Sequence, residues 1–325
     1  MATEPEIWVD PDMQRAMARM ADIAREYDLP ADRSGLSPEQ ARQRMEMDRA
    51  WWNQERPALA RIREVTVAGP TREIPVRLLY PSDDPDLPVI VYLHGGGWVV
   101  GSLETHARGM HCLANASNCV VAAVDYALAP EHKFPAALDE VIAVVEHIVA
   151  NGAGWGVDPR RIALAGDSAG ANIALGAELE LQRRGRSPVG ALGLIYPVTD
   201  NDFETDSYRA FGGGEWGLSK AEMQAFFAHY VRGPEDYQDA RVVPMRGDLT
   251  GLPPTFVSAA GLDVLRDDAV RLDARLRDAG VPCSLTVYEG VVHGFMTLTR
   301  MLPKAQAMID DLAAKLSATL RGMPS

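Results

Sequence analysis

The sequence predicts an α/β protein built on a doubly wound, mostly parallel sheet. Three observations carry that expectation. Apolar runs at 89–93, 120–124, 162–165, 192–198 and 255–259 are too continuous for a sheet with one wet face, and suit strands buried on both sides. Helical patterns separate them, notably at 135–150, 169–184 and 267–279, the last stopped by Gly280 and Pro282. Strands that alternate with helices in this way form parallel pairs joined by crossovers.

The elements follow in order. Met13, Met17, Met20 and Ile23 or Ala24 recur at helical spacing, and Asp10-Pro11 is a start signal. A second helix begins at Ser37-Pro38-Glu39-Gln40, an N-cap with proline at the first helical position, and runs towards Trp51-Trp52. This stripe of Met and Trp either packs on the body below or lines a ligand pocket. From residue 62 the period changes to two: Ile62, Val65 and Val67, then after Gly69-Pro70 the residues Ile74, Val76, Leu78 and Tyr80, which predicts a hairpin. Residues 201–250 break the strand–helix alternation and are too long for an ordinary crossover. They read as a lid with a helix from Ser219 to Tyr230, and with the N-terminal helices they form a cap over the carboxyl edge of the sheet, where such folds put ligands. The expected division is residues 1–60 as an N-terminal helical cap segment and 61–325 as the catalytic domain, with a cap insertion at about 201–250.

Composition bounds the function classes. The 325 residues are 47% hydrophobic and 24% charged, enough for a sizeable core and unlike a disordered chain. Thirty-two basic against 45 acidic residues give −13, and the basic residues are scattered, which argues against a nucleic-acid partner. Cys112, Cys119 and Cys283 are odd in number and form no CxxC pair, so reduced thiols in a cytoplasmic protein are expected rather than disulfides or a metal site. Met1–Glu6 has no basic region followed by an apolar one, so no secretory signal is expected, and no apolar run reaches the roughly 18 residues of a membrane span.

Two glycine motifs carry chemistry. Gly166-Asp167-Ser168-Ala169-Gly170 follows the strand 161–165 and opens a helix, the context in which G-x-S-x-G holds a serine on a sharp turn at the helix's positive end. Small residues on both sides of Ser168 let strand and helix approach. His94-Gly95-Gly96-Gly97-Trp98 follows the strand ending at Leu93, and three glycines let main-chain N–H groups face a developing oxyanion. Gly96, Gly97 and Ala169 are the expected donors. A serine hydroxyl needs a base, and only His229 and His293 lie after Ser168, the side on which such elbows find their partners. His229 falls inside the lid helix and reads as a structural or surface residue. His293 follows the strand 284–288 in the loop 289–295 and is the expected base. The acid belongs just past the preceding strand, where Asp263 lies in the loop while Asp267 and Asp268 open the next helix as caps or dipole partners; Asp263 is favoured.

With these residues in place the chain resembles the hormone-sensitive lipase family of α/β-hydrolases, the bacterial family IV esterases. The resemblance rests on HGGGW at 94–98, DYALAPE at 125–131, FPAAL at 134–138, GDSAG at 166–170, YPVTD at 196–200, GLDVLRDD at 261–268 and HGF at 293–295, and spans about 62–300. It implies an α/β-hydrolase fold with an eight-stranded, mostly parallel sheet and a helical cap, and hydrolysis of esters with short to medium acyl groups. It also implies that Ser168 is the nucleophile, Asp263 and His293 its partners, and Gly96, Gly97 and Ala169 the oxyanion donors, with His94 holding the glycine loop from behind. The family's usual proline after the acid is Val264 here, which implies a looser loop.

The expected activity is that of a serine carboxylesterase needing neither metal nor organic cofactor, with a small-molecule ester as its partner, no nucleic acid or membrane, and a monomer or homodimer as its state. An amide hydrolase or an acyltransferase would use the same triad, whereas a non-catalytic binding member would lack the histidine. Trp98, Phe203, Phe211 and Trp216 are candidates for lining the acyl pocket, with packing as the competing role for each.

Overall fold

β-branched and apolar residues dominate the centre of the chain, and they assemble into one eight-stranded sheet. The computed structural model describes residues 7–29, 35–185 and 187–323; Met1–Glu6, read above for a targeting signal, lies outside the described residues. The strands are β1 Arg61–Ala68, β2 Glu73–Tyr80, β3 Leu87–Leu93, β4 Val120–Val124, β5 Val157–Asp167, β6 Val189–Ile195, β7 Thr255–Leu262 and β8 Cys283–Val292, in the order β1-β2-β4-β3-β5-β6-β7-β8. β1 pairs with β2, and β2 with β4, antiparallel, whereas every other pair is parallel. This is the mostly parallel sheet the apolar runs predict. β3 and β4 are buried at every residue, as strands covered on both faces must be.

Five helices follow the hairpin within the α/β body: α3 Ala107–Ser117, α4 Ala136–Trp155, α5 Ala169–Arg183, α8 Arg266–Asp278 and α9 Pro303–Arg321. α4 and α5 pack on each other and on β5, while α3 packs on α9, which runs across β5, β6 and β7. α3 and α9 are not among the elements inferred above, although Ala305, Met308, Ile309, Leu312, Leu316 and Leu320 keep helical spacing and are all buried. α4 runs on to Trp155, where Gly156 at φ 77° stops it.

Two boundaries differ from the sequence reading for a physical reason. β6 ends at Ile195 rather than 198, because Tyr196 turns to φ 35° and the chain leaves the sheet to pass the elbow, with Val198 N–H on the Ser168 carbonyl at 3.4 Å. β8 extends through the expected loop to Val292, since Val292 still registers against Leu262 beyond an irregularity after Ala260.

The cap elements are α1 Pro11–Glu26, α2 Pro38–Ala50, α6 Asp206–Phe211 and α7 Lys220–Tyr230. Asp10 caps α1 by accepting from the N–H groups of Asp12 and Met13, and Ser37 with Gln40 and Ser219 with Glu222 form capping boxes on α2 and α7. Polar ties fasten the cap to the body. Arg42 of α2 donates to the carbonyls of Val99 and Ala129 and pairs with Glu131, whose carboxyl it holds down to about 2. Asp268, buried at the start of α8, accepts from Thr199 N–H at 2.8 Å and Asp200 N–H at 3.0 Å, and Asp267 accepts from Ser207 N–H at 2.8 Å. Among the described residues, no helix is long and apolar enough to cross a membrane.

The approach of β5 and α5 to β3 depends on glycine and sets a prediction. A Cβ on Gly170 would stand 2.0 Å from the Leu93 carbonyl oxygen, and one on Gly166 would stand 2.6 Å from that same oxygen. Gly170→Ala should destabilise the protein by about 3 kcal/mol in a chemical-denaturation series, since neither neighbour is a side chain that can swing away. The exposed helical Gly154, with nothing near its missing Cβ, is the control, and Gly154→Ala should stabilise by about 0.5–1 kcal/mol.

Candidate active site

Ser168 sits where β5 turns into α5. Its backbone is at φ 55° and ψ −119°, a left-handed conformation that a non-glycine residue holds only under constraint. The constraint is visible: Ser168 N–H donates to the Ile195 carbonyl at 2.8 Å, and the glycines on either side press against β3. The turn lifts the side chain out of the sheet and leaves its hydroxyl beside His293.

Three predicted residues come together from three strand ends. His293 Nε2 lies 3.0 Å from Ser168 Oγ, and its Nδ1–H donates to Asp263 Oδ2 at 2.7 Å. A carboxylate can only accept from the ring, so the proton is on Nδ1 and Nε2 is left to accept from the serine hydroxyl. Asp263 is 1% exposed, and its other oxygen accepts from Leu265 N–H at 3.0 Å. Asp267 and Asp268 point instead into the cap contacts described above. The loop after Asp263 is not loose despite Val264: Arg266 N–H returns to the Asp263 carbonyl at 3.1 Å, and the Ser207 hydroxyl donates to the Val264 carbonyl at 2.6 Å.

The glycine loop after β3 lies across the elbow. Gly96 and Gly97 have φ of 131° and 57°, and a side chain on Gly97 would collide with the Phe226 ring at 2.3 Å. No acceptor among the described residues takes up the N–H of Gly96, Gly97 or Ala169. His94 Nδ1–H donates to the Gly95 carbonyl at 2.8 Å and its ring stacks on Tyr126 at 4.4 Å, which holds the loop from behind. Burial first, and then the neighbouring His106, push the His94 imidazole down to about 4, so it is neutral near pH 7.

Asp167 was within the motif but not singled out from sequence, because its role depends on what lies above it. Its Oδ1 accepts from Gly95 N–H at 2.9 Å and the Tyr92 hydroxyl at 2.8 Å, and its Oδ2 lies 3.4 Å from His106 Nε2. The residue before the serine thus holds the residue before the donor glycines. Burial alone would raise this carboxyl, but attraction to His106 and the hydrogen bonds outweigh it and keep it at about 2.

A cavity of about 490 Å³ opens over Ser168 and His293 between the cap and the body. Met20 and Ile23 of α1, Met45 and Arg49 of α2, Trp52, and Met223, Phe226 and His229 of α7 line it. The N-terminal stripe therefore does both things considered for it: Met13 and Ala16 are buried in packing while Met20 and Ile23 reach the cavity. The four aromatic candidates do not line it. Trp98 stacks face to face on Tyr230 at 4.4 Å, Phe203 packs edge-on against Tyr208 and Phe227, and Phe211 packs edge-on against Trp216. Trp98 thus joins body to cap, while Phe203, Phe211 and Trp216 pack within the cap insertion. His229, read as structural or surface, is a lining residue, and the spacing of Met223, Phe226 and His229 on one helical face was the signal available. Among the described residues no cluster of His, Cys, Asp or Glu is placed to hold a metal ion.

Comparison with known proteins points to the same fold. A family model described as the alpha/beta hydrolase fold matches residues 90–297. The chain is 30% identical over 289 residues to the acetyl esterase of Salmonella typhi, covering 87% of this chain and 88% of that protein. It is 39% identical over 253 residues to carboxylesterase NlhH of Mycobacterium tuberculosis, covering 75% and 78%. The solved hyperthermophilic esterase of Pyrobaculum calidifontis superposes with a TM-score of 0.90 at 32% identity, covering 96% of this chain and 99% of that one. Ester-hydrolase EH1AB1 from the metagenome of Lake Arreo, solved with a bipyridine phosphonate derivative, gives 0.89 at 36% identity over 95% and 98%.

The buried Asp167 generates a pH prediction. A carboxyl lowered from 3.8 to about 2 on folding contributes stability that is complete above its unfolded value and is lost as pH falls through the folded one. The contribution is about 2 kcal/mol. The Tm gap between the parent and Asp167→Asn should be widest at pH 5–7 and shrink between pH 4 and 2; a gap that does not change with pH would contradict the assignment.

Proposed function

Because the chain belongs to the hormone-sensitive-lipase-like α/β-hydrolases, we propose that Ser168, His293 and Asp263 act as its catalytic triad. The protein is a carboxylic ester hydrolase. The observation that carries the triad is the continuous line of hydrogen bonds from Asp263 through both nitrogens of His293 to Ser168 Oγ, at 2.7 and 3.0 Å.

Ser168 Oγ attacks the ester carbonyl carbon while His293 Nε2 takes the hydroxyl proton. The carbonyl oxygen becomes an oxyanion, and the N–H groups of Gly96, Gly97 and Ala169 stabilise it with the positive end of α5. The C–O bond to the alcohol then breaks, and His293 returns its proton to the leaving oxygen. Water, deprotonated in turn by His293, attacks the acyl-enzyme and releases the acid and Ser168. Asp263 keeps the imidazole in its Nδ1–H tautomer and stabilises the imidazolium, itself staying ionised.

Short to medium acyl chains are the proposed substrates. A cavity of about 490 Å³ lies within the range of small-molecule sites, and its apolar lining of Met20, Ile23, Met45, Met223 and Phe226 suits a hydrocarbon chain of limited length. Cys112, Cys119 and Cys283 are free thiols, which supports a reducing compartment such as the cytoplasm.

Ser168→Ala should lower kcat on a short p-nitrophenyl ester by about 10⁶-fold, and Asp263→Asn by about 10⁴-fold. Turnover by Ser168→Ala at the parent rate would refute the nucleophile. Across a series of acyl lengths, kcat/KM should peak at short to medium chains and fall for long ones; a peak on long-chain triglycerides would overturn the substrate assignment. Paired ester and anilide substrates should favour the ester, and a preference for the anilide would move the protein to amide hydrolysis.

A further inference from the structure

His293 directly follows the last residue of β8, beyond the point where the pairing of β8 with β7 becomes irregular. Gly290 and Gly294 flank it with φ of 74° and 77°, and glycine in such positions loses the most conformational freedom on ordering. The N-terminal segment meets this stretch on both sides. Upstream, Asp10 N–H donates to the Gly290 carbonyl at 3.0 Å, and the place where a Gly290 Cβ would lie is filled by the Trp8 ring, 2.3 Å away. Lys304 joins the two segments there, with Nζ 2.7 Å from the Glu289 carbonyl and 2.8 Å from the Asp10 carboxylate.

Downstream the contact is a relay. Arg49 Nη1 at the end of α2 donates to Thr297 Oγ1 at 2.8 Å, and that hydroxyl donates onward to the Gly294 carbonyl at 2.9 Å. Arg49 Nη2 lies 3.4 Å from where a Gly294 Cβ would be, so the guanidinium packs on the residue directly after His293. A planar fork can bond the threonine with one nitrogen while the other rests on the glycine, which a lysine ammonium cannot do.

We propose that the N-terminal cap segment is a clamp on the His293 loop, with Arg49 as the positioning residue that sets the reach of the imidazole to Ser168. The inference rests on the reading of His293 as the base. It assigns the N-terminal helices a task besides covering the cavity: without the clamp the two glycines let the imidazole wander. Displacements of about an ångström are enough to cost one or two orders of magnitude in rate.

The test is steady-state kinetics on a short p-nitrophenyl ester with Arg49→Met, Thr297→Val, the double variant and Thr297→Ser, each first shown by thermal melting to be folded. Arg49→Met and Thr297→Val should each lower kcat about tenfold with KM within about twofold, and the double variant should be no slower than Arg49→Met alone. Thr297→Ser keeps the relay hydroxyl and should stay within about twofold of the parent. Because Arg49 also lines the cavity, a raised KM with unchanged kcat would make it a substrate contact and overturn the clamp, as would losses that multiply in the double variant. Should Arg49→Met fail to fold, Thr297→Val against Thr297→Ser decides alone, and equal kcat values overturn the proposal. His293→Ala separates the two readings: if it retains turnover the triad falls, whereas an inactive His293→Ala beside a fully active Arg49→Met removes only the clamp.

Discussion

The Leu93 carbonyl is the contact on which the site depends. Two glycines four residues apart, Gly166 at the end of β5 and Gly170 in the first turn of α5, close on it to distances that forbid any side chain. Their approach bends the chain between them hard enough to hold Ser168 at φ 55°. The residue directly after β3 is His94, so the same contact places the start of the glycine loop. One steric fact thereby fixes the nucleophile and the loop opposite it, and Asp167 locks the two by bonding Gly95 N–H.

Around that point the structure solves a problem of assembly. Ser168, Asp263 and His293 are carried on the ends of three strands, β5, β7 and β8, and a parallel sheet aligns those ends on one edge. Strand ends are also where order fades, and each is tied by something outside the sheet. The Asp263 loop is held by Ser207 from the cap insertion and the elbow by Ile195. The His293 loop is held by Asp10, Trp8 and Arg49. Cap and triad are thus mechanically continuous, which is why charged side chains such as Arg42, Asp267 and Asp268 are spent on carbonyls and N–H groups rather than left in solvent.

The parts of the fold that were legible share a cause: they depend on near neighbours in the chain. The apolar runs of β3 and β4, the hairpin of β1 and β2, and the capped starts of α1, α2 and α7 are each specified by residues close together in the chain. So is the order of Ser168, Asp263 and His293 relative to strand ends. The misjudged positions depend on distant partners. Tyr196 continues an apolar run yet leaves the sheet because the elbow needs passage, and Glu289–Val292 continues as strand because β7 offers a partner to Leu262.

The sequence by itself determined the class of sheet and the elbow motif, and favoured Ser168, His293 and Asp263 as the residues that meet there, because spacing and residue type limit which strand ends can carry them. Only the tertiary structure decided what surrounds them. Phe226 rather than Trp98, Phe203, Phe211 or Trp216 reaches the cavity, since adjacent positions on α7 point about 100° apart and only docking of the helix chooses between Phe226 and Phe227. Likewise Asp167 and Arg49 take their roles from groups 72 and 248 residues away, Gly95 and Thr297, a separation at which sequence pattern carries no information and only the folded packing brings the partners within a hydrogen bond.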